Sequence, residues 1–496
     1  MKKILPVLLF ILILILTACG NKDSGGSQSG DSNPNHEQRN ADGNENANLP
    51  ENASDDYVFP ALNCNSESFT FLNVETNWDF YTIIVHEAQT GEVLDDAIFA
   101  RNMTVEEKFN VKLKERGVLI DEIEAEIKKT ILAGDTPYDA AYCPAYSQAP
   151  IGGMITQNLF YDLYDIPGLQ LEKPWWNQTI NQECAIGSSK KLYFTWCDIN
   201  IMNLQSPWCV YINEDMMKNL GLDLPYNLVK EGKWTLDEFH KYAKAGSQLN
   251  GQENFKWSPG GTAVFGYTSY EGGTRALLVG SGERFISRDS DGMPYLSIET
   301  RRFYDICDKI AEITNPPGIY QNANDYATLY HFEYLFRDER TLMSIAEIKA
   351  SDNFRNMDAA FGIVPIPKYD ENQSSYYSSV ANPMPVLIVP NTADDIQRTG
   401  VILDAMAYLS TKNIAPVFFD ITMSQKRLRN DESIEMLHII KDSVIYDVGM
   451  AYGWSSDLYI NISDSLDKGK NNAVTQIEKL KDKVAVKIEN TMDSMD

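Results

Sequence analysis

The stretch Cys209-Val-Tyr-Ile-Asn-Glu-Asp-Met-Met-Lys-Asn-Leu-Gly221 joins two elements with no linker between them. Residues 209–212 are a short apolar run that reads as a strand; residues 213–220 read as a short helix closed by Gly221, and Pro225 ends the segment. Soon after comes Trp234-Thr-Leu-Asp-Glu-Phe239. Thr235 and Glu238 have the spacing of a capping box, and Trp234 and Phe239 that of the hydrophobic staple. A helix therefore starts at Thr235.

The same grammar extends in both directions. Upstream, residues 69–74 are a β-rich run, Leu94, Ile98, Val105 and Phe109 form a helical stripe, and Val111 and Leu113 alternate with charges as in a strand. Ile120, Ile123, Ile127 and Ile131 form a second stripe, stopped at Gly134 and followed by a strand over 138–143. Downstream, residues 361–364 read as a strand broken by Pro365 and Pro367, and residues 386–389 as another. Thr392 precedes a helix with Ile402, Leu403, Met406 and Leu409 on its apolar side. Strands alternating with helices imply a parallel sheet with helices packed on it, an α/β fold.

The N-terminus has a different character. Lys2 and Lys3 precede an apolar run over residues 4–16 that ends in Leu16-Thr-Ala-Cys19. The run is shorter than the roughly 20 residues that span a bilayer and fits an export signal. Small residues before a cysteine resemble the lipobox of bacterial lipoproteins, which implies a signal peptide over 1–18 and a mature chain lipidated on Cys19. Residues 20–48 hold, Pro34 apart, no apolar side chain larger than alanine, a composition that cannot offset its own ordering entropy. Residues 19–65 thus read as a lipidated tether, with a reach of roughly 30 Å for the polar stretch.

Lys2 and Lys3 are the only charges in residues 1–18, so their removal leaves 41 of 43 basic residues against 70 acidic ones, a charge of −29. A surface so acidic repels phosphate backbones and excludes nucleic acid as the main partner. The body beyond the tether is longer than the ~250–300 residues one core usually holds, so two domains are expected. Cys64, Cys143, Cys184, Cys197, Cys209 and Cys307 form no CxxC and no zinc-finger spacing. Cys184 and Cys197 flank a Gly-Ser-Ser-Lys-Lys turn; a disulfide across it competes with buried free thiols, the commoner state.

Five segments, in order, resemble the extracellular solute-binding proteins of sugar-type ABC importers, solute-binding protein family 1. They are Glu107-Lys-Phe-Asn-Val-Lys-Leu113, Leu132-Ala-Gly-Asp-Thr-Pro-Tyr-Asp139, the 210–221 and 234–239 segments above, and Phe361-Gly-Ile-Val-Pro-Ile-Pro-Lys368. The resemblance implies a two-lobed, type II periplasmic-binding-protein-like fold, similar to maltodextrin-binding proteins, with discontinuous lobes and a ligand cleft between them. Lobe 1 would comprise 66–196 plus 385–426 and lobe 2 would comprise 197–384 plus 427–496, with hinges near 196–207 and 384–385. It further implies a monomeric receptor, lipid-anchored on the outer face of the cell membrane, that delivers a small solute to a permease and needs no cofactor.

An oligosaccharide is the expected solute, since an aromatic face covers the C–H side of a pyranose while carboxylates take its hydroxyls, and the chain has 8 Trp, 26 Tyr and 20 Phe. By position, the resemblance marks Trp78, Asp79, Tyr146, Trp196, Asp198, Trp208, Glu347 and Trp454 as ligand contacts. Trp234 is spent on its staple, and Trp175-Trp176 reads as an anchor for a surface segment. Two departures from the family pattern, the long 197–207 crossover and the 284–298 stretch, have no familiar counterpart and would reshape a pocket.

Competing functions have weaker support. A surface glycosidase needs two carboxylates about 5–5.5 or 6.5–9.5 Å apart, and 70 acidic residues supply candidates without marking a pair. The sequence has no G-x-S-x-G, P-loop or H-E-x-x-H motif. Asp289, Asp291 and Gly292 match three positions of a calcium loop, but its first and twelfth positions are Ser287 and Ile298, so a polar hairpin turn is expected. Five histidines, His36, His86, His240, His331 and His438, do not suit a His-rich zinc receptor. A receptor for a membrane kinase, or for peptides, would use the same cleft.

Overall fold

The computed structural model describes residues 57–76, 82–145, 151–270, 272–323, 332–381, 384–419 and 431–495. Cys19, Trp78, Asp79 and Tyr146, with the signal and polar tether sequences, lie outside the described residues. Tyr57–Asp496 forms one compact unit.

Strands β1 (Ser68–Glu75), β2 (Lys112–Leu119) and β3 (Ala140–Pro144) alternate with helices Val93–Phe109 and Ile123–Leu132. All three strands are parallel, with β1 between β2 and β3. Next come β4 (Trp208–Asn213), β5 (Phe265–Ser269), the hairpin β6 (Ile286–Arg288) and β7 (Pro294–Leu296), β8 (Tyr320–Asn322), β9 (Thr341–Glu347) and β10 (Phe361–Val364). Apart from the hairpin, these make a second sheet in the order β10-β4-β9-β5-β8, parallel at β9-β5-β8 and antiparallel on both sides of β4. The chain then returns as β11 (Pro385–Ile388), antiparallel to β3 in the first sheet. The fold is α/β with two lobes, one around each sheet.

The segments that carried the sequence reading are structural. Thr235 caps the helix Leu236–Gly246 by accepting the Glu238 N–H at 3.5 Å. Only half of the capping box forms, because the Glu238 carboxylate turns to Lys241 at 2.9 Å. The staple closes, with the Trp234 and Phe239 rings edge to face at 6.1 Å. Asp139 accepts the Thr70 N–H at 2.8 Å and pairs with Arg398, tying β1, β3 and the helix Ile396–Asn413 together. Burial of Leu94, Ile98, Val105 and Phe109 confirms the first helical stripe, each such side chain contributing about 1.5–3 kcal/mol.

Several expectations are corrected. The strand after Phe109 runs to Leu119, well past Leu113, and Ile120 follows it instead of opening the next helix. Tyr138 precedes β3 and joins Thr130 through its hydroxyl at 2.7 Å. The late helix is capped by Asp395, three residues after Thr392, through the Arg398 N–H at 2.9 Å. Cys184 and Cys197, by contrast, are in the expected commoner state, both free and buried. Residues 284–298 contain the β6-β7 hairpin, and Asp289 Oδ1 is used inside its turn, accepting the N–H groups of Asp291 and Met293 at 2.9 Å each. Trp175 and Trp176 do anchor an exposed segment, with Glu172 and Pro174 outside and both indoles inside. Both are buried and donate their indole N–H to Asp404 Oδ1 at 2.9 Å, while Gln170 donates to the same carboxylate from its backbone and side chain. Among the described residues no helix is long and apolar enough to cross a membrane.

Candidate ligand-binding cleft

In an open α/β sheet, ligands bind outside the carboxyl ends of the strands, where loops can converge without breaking the ladder. In the second sheet, β5 and β9 end side by side, with Ser269 paired to Ile345. Antiparallel β4 starts at the same edge, with Trp208 opposite Glu347. Two expected contacts, from strands far apart in sequence, thus meet at one edge.

Tyr270, which the sequence reading missed, completes the group. Its ring stacks on Trp208 at 5.2 Å with 25° between planes, and its hydroxyl donates to Glu347 Oε1. Gly272 takes φ +120°, and a Cβ there would lie 2.9 Å from Trp208 Cζ2, so the turn passes directly against the indole. Ser269-Tyr-Glu-Gly-Gly273 was the available signal, because a strand running into paired glycines marks a close backbone approach. Trp208 is held from behind as well: its N–H donates to the Ser379 carbonyl at 3.0 Å, and Ser378 Oγ donates to its carbonyl at 2.6 Å. The result is an aromatic pair, Trp208 buried beneath a partly exposed Tyr270, beside a buried carboxylate.

A polar network between the first sheet and the crossover at 199–200 braces the segment that follows Trp78 and Asp79 in sequence. Asn73 Nδ2 donates to the Thr82 carbonyl at 3.0 Å, and Thr82 Oγ1 donates to Asn200 Oδ1 at 2.6 Å. Glu115 Oε2 accepts the N–H groups of Ile84 and Val85 at 2.8 and 2.7 Å. Arg101 is fully buried and spends its five N–H bonds on neutral acceptors: Asn102 Oδ1 twice, the Ile84 and Ile199 carbonyls, and Ser410 Oγ. Burial lowers its pKa to about 10, still charged at neutral pH. Arg101 lies on the stripe of Ile98 and Val105, and a cation on an apolar stripe was a legible but unused sign of an internal polar site.

The other expected contacts are placed elsewhere. Asp198, buried in the crossover, accepts from Asn203 Nδ2 at 2.5 Å and Thr411 Oγ1 at 3.2 Å. Trp196 packs edge-on against Tyr446 at 5.0 Å, with its indole N–H on the Pro385 carbonyl at 3.0 Å. Trp454 stacks on Tyr452 at 4.7 Å and donates to Thr491 Oγ1 at 2.8 Å. Both rings are buried and both N–H groups are taken, as a packing role would have them.

The chain passes between the lobes in segments that lie side by side. Thr195 exchanges backbone hydrogen bonds with Leu387 at 3.1 and 3.0 Å, the Ala381 N–H donates to Ser206 at 3.0 Å, and the Ile445 N–H to Ser378 at 3.0 Å. The two passages, near residues 195–208 and 378–387, are thus bonded to each other, and residues 443–445, between helices packed on β10 and β6, are bonded to the latter. Hinge motions concentrate in a few such residues.

No protein-family model matches the sequence, and no curated protein matches it. Solved structures do match in shape. The ABC substrate-binding protein of Listeria monocytogenes in complex with cycloalternan aligns with a TM-score of 0.52 at 13% identity, over 87% of this chain and 99% of its own. CpMnBP1 with mannotriose bound gives 0.54 at 16% identity, over 84% and 99%. The maltose/maltodextrin-binding domain MalE from Bdellovibrio bacteriovorus bound to maltotriose gives 0.53 at 12%, over 85% and 100%. The chain has the two-lobed solute-binding-protein fold. At these identities the likeness is one of fold, and the fold spans nearly the whole length of each of these proteins.

Proposed function

We propose that the protein is an extracytoplasmic receptor that binds an oligosaccharide by lobe closure and delivers it to an ABC permease, without consuming it. The observation that carries this reading is the Trp208–Tyr270 stack with Glu347, set at the carboxyl ends of β5 and β9 in a solute-binding-protein fold. An aromatic face beside a carboxylate has the two chemistries a pyranose ring presents, apolar C–H on one side and hydroxyls at the rim. Cycloalternan, mannotriose and maltotriose, the sugars held by the three similar structures, point the same way. Trp78, Asp79 and Tyr146 would add contacts from the loops that follow β1 and β3. The lobes would be 66–196 plus 385–426 and 197–384 plus 427–496, and Cys19 would carry the lipid that keeps the receptor at the membrane.

The test is a thermal-shift screen of the mature chain against glycans that include these three sugars. A ligand at 100 times its Kd adds about 2.7 kcal/mol of stability, and Trp208→Ala should then weaken binding by about 1–3 kcal/mol. Absence of any shift across the panel would remove the carbohydrate reading, and release of shorter sugars would replace the receptor with an enzyme.

A further inference from the structure

The helix Gly273–Gly280 follows the turn that lies against Trp208. It has no side-chain cap and no acidic residue in its first turn, so nothing local balances the positive end of its dipole. The balancing group comes from 193 residues further along the chain, where Asp467 Oδ1 accepts the Thr274 hydroxyl.

Asp467 is itself firmly placed. It follows the helix Ser456–Leu466, and its N–H donates to the Ser463 carbonyl at 2.8 Å. Thr314 Oγ1 holds the preceding Leu466 carbonyl at 2.6 Å. The same Oδ1 accepts the Tyr320 hydroxyl at 3.3 Å, and the Tyr320 ring stacks on Tyr267 of β5 at 4.8 Å. One carboxylate thus ties the first turn of the helix to β8 and, through the stacked rings, to β5.

Tight contacts lead from this anchor to the aromatic pair. The Ala276 N–H donates to the Gly272 carbonyl at 2.8 Å and the Gly273 N–H to the Tyr270 carbonyl at 3.0 Å. A Cβ on Gly273 would lie 2.3 Å from Ser269 Cβ, and one on Gly272 would lie 2.9 Å from Trp208 Cζ2. The start of the helix is therefore pressed on strand and indole at once, and close-packed groups pass a displacement on instead of absorbing it. Thr274 is buried, so its hydroxyl has no water to turn to when the carboxylate is removed.

We propose that Asp467 is a positioning residue for ligand recognition: through Thr274 it fixes the start of the helix whose turn presses on Trp208, and so sets the geometry of the Trp208–Tyr270 stack. Its effect on affinity rests on the sugar-binding reading above; its effect on the stack rests on the packing alone.

The experiment uses the ligand-free chain at pH 8, where the carboxyl, raised by burial to about 6, is ionised. Thr274→Val keeps the shape of the side chain and loses the donor. It should change the near-ultraviolet circular dichroism of the parent, and leave that of a Trp208→Phe background unchanged. Thr274→Ser, which keeps the hydroxyl, should restore the parent spectrum, and Asp467→Ala should reproduce the effect of Thr274→Val from the other partner. With maltotriose as the probe, Thr274→Val should raise Kd about tenfold and Thr274→Ser should not. A folded Thr274→Val protein with the parent's spectrum, or with an equal change in the Trp208→Phe background, overturns the proposal, as does a changed spectrum with an unchanged maltotriose Kd. The spectra need no ligand, so they decide the positioning of the stack even if maltotriose fails to bind the parent, an outcome that counts against the carbohydrate reading alone.

Discussion

Gly272→Ala would test the candidate site without touching a group that contacts ligand. Two costs can be read from the geometry. At φ +120° an L side chain is strained, at about 1–3 kcal/mol. The new methyl would also lie 2.9 and 3.0 Å from Trp208 Cζ2 and Cη2, inside the ~3.5–4.0 Å at which carbons attract. The indole cannot simply retreat, because it stacks on Tyr270 and its backbone is held by Ser378 and Ser379. Giving up the stack costs about 0.5–1.5 kcal/mol more. The expected loss of folding stability is therefore about 2–4 kcal/mol, measured by urea unfolding. Near-UV circular dichroism should change, and affinity for the best glycan should fall. Gly153→Ala is the control, since nothing lies within 4 Å of its Cβ position and a helical alanine is favoured by up to about 1 kcal/mol. A Gly272→Ala protein within 0.5 kcal/mol, roughly measurement error, of the parent and with an unchanged aromatic spectrum would refute the argued packing of Trp208.

Two further substitutions probe the frame. Asp404→Ala strands both indole N–H groups of Trp175 and Trp176 and two donors of Gln170, so urea unfolding should show a loss above about 3 kcal/mol; Asp404→Asn, which keeps the Oδ1 acceptor, should lose less. Asp467 takes hydroxyl donors from Thr274 and Tyr320 on Oδ1, and burial raises its carboxyl to about 6. The folded chain then holds this proton more tightly than the unfolded one, so its contribution is greatest below about pH 4 and is lost as pH rises through 6. Asp467→Asn should stabilise at pH 8, by up to about 3 kcal/mol, with the gain vanishing near pH 4; parallel stability-pH curves for the two proteins would contradict this.

Much of the fold was legible because its signals are local. The strand at 209–212, the cap at Thr235 and the staple of Trp234 on Phe239 need only neighbours in sequence. Boundaries were misread where several residues competed for one role: Thr392, Asp394 and Asp395 can all cap a helix, and the backbone selects Asp395. The end of β2 was hidden because it is an edge strand whose charges, Lys114, Glu115 and Arg116, break the alternation; Glu115 turns out to be the acceptor for the Ile84 and Val85 N–H groups. Within the site, Trp208 and Glu347 were visible as strand ends. Tyr270 was not: the paired glycines after it mark a close backbone approach, but nothing marks which ring lies there. Trp196 and Trp454 went the other way, because an indole suits a buried position whenever a carbonyl or hydroxyl can take its N–H, and Pro385 and Thr491 do so here.

The place of Trp208 links recognition to motion. It is the first residue of β4, so its ring faces the edge where Tyr270 and Glu347 meet, yet its backbone closes the first passage between the lobes. Ser378, in the second passage, donates its hydroxyl to the Trp208 carbonyl and its N–H to the Ser443 carbonyl, and accepts the Ile445 N–H. A single serine thus connects the ring-bearing residue to the second passage and to the segment at 443–445. If a sugar covers Trp208 as proposed, it presses on a residue whose backbone belongs to the connection between the two sheets, so occupancy would change the relative stability of the lobe arrangements through hydrogen bonds already in place.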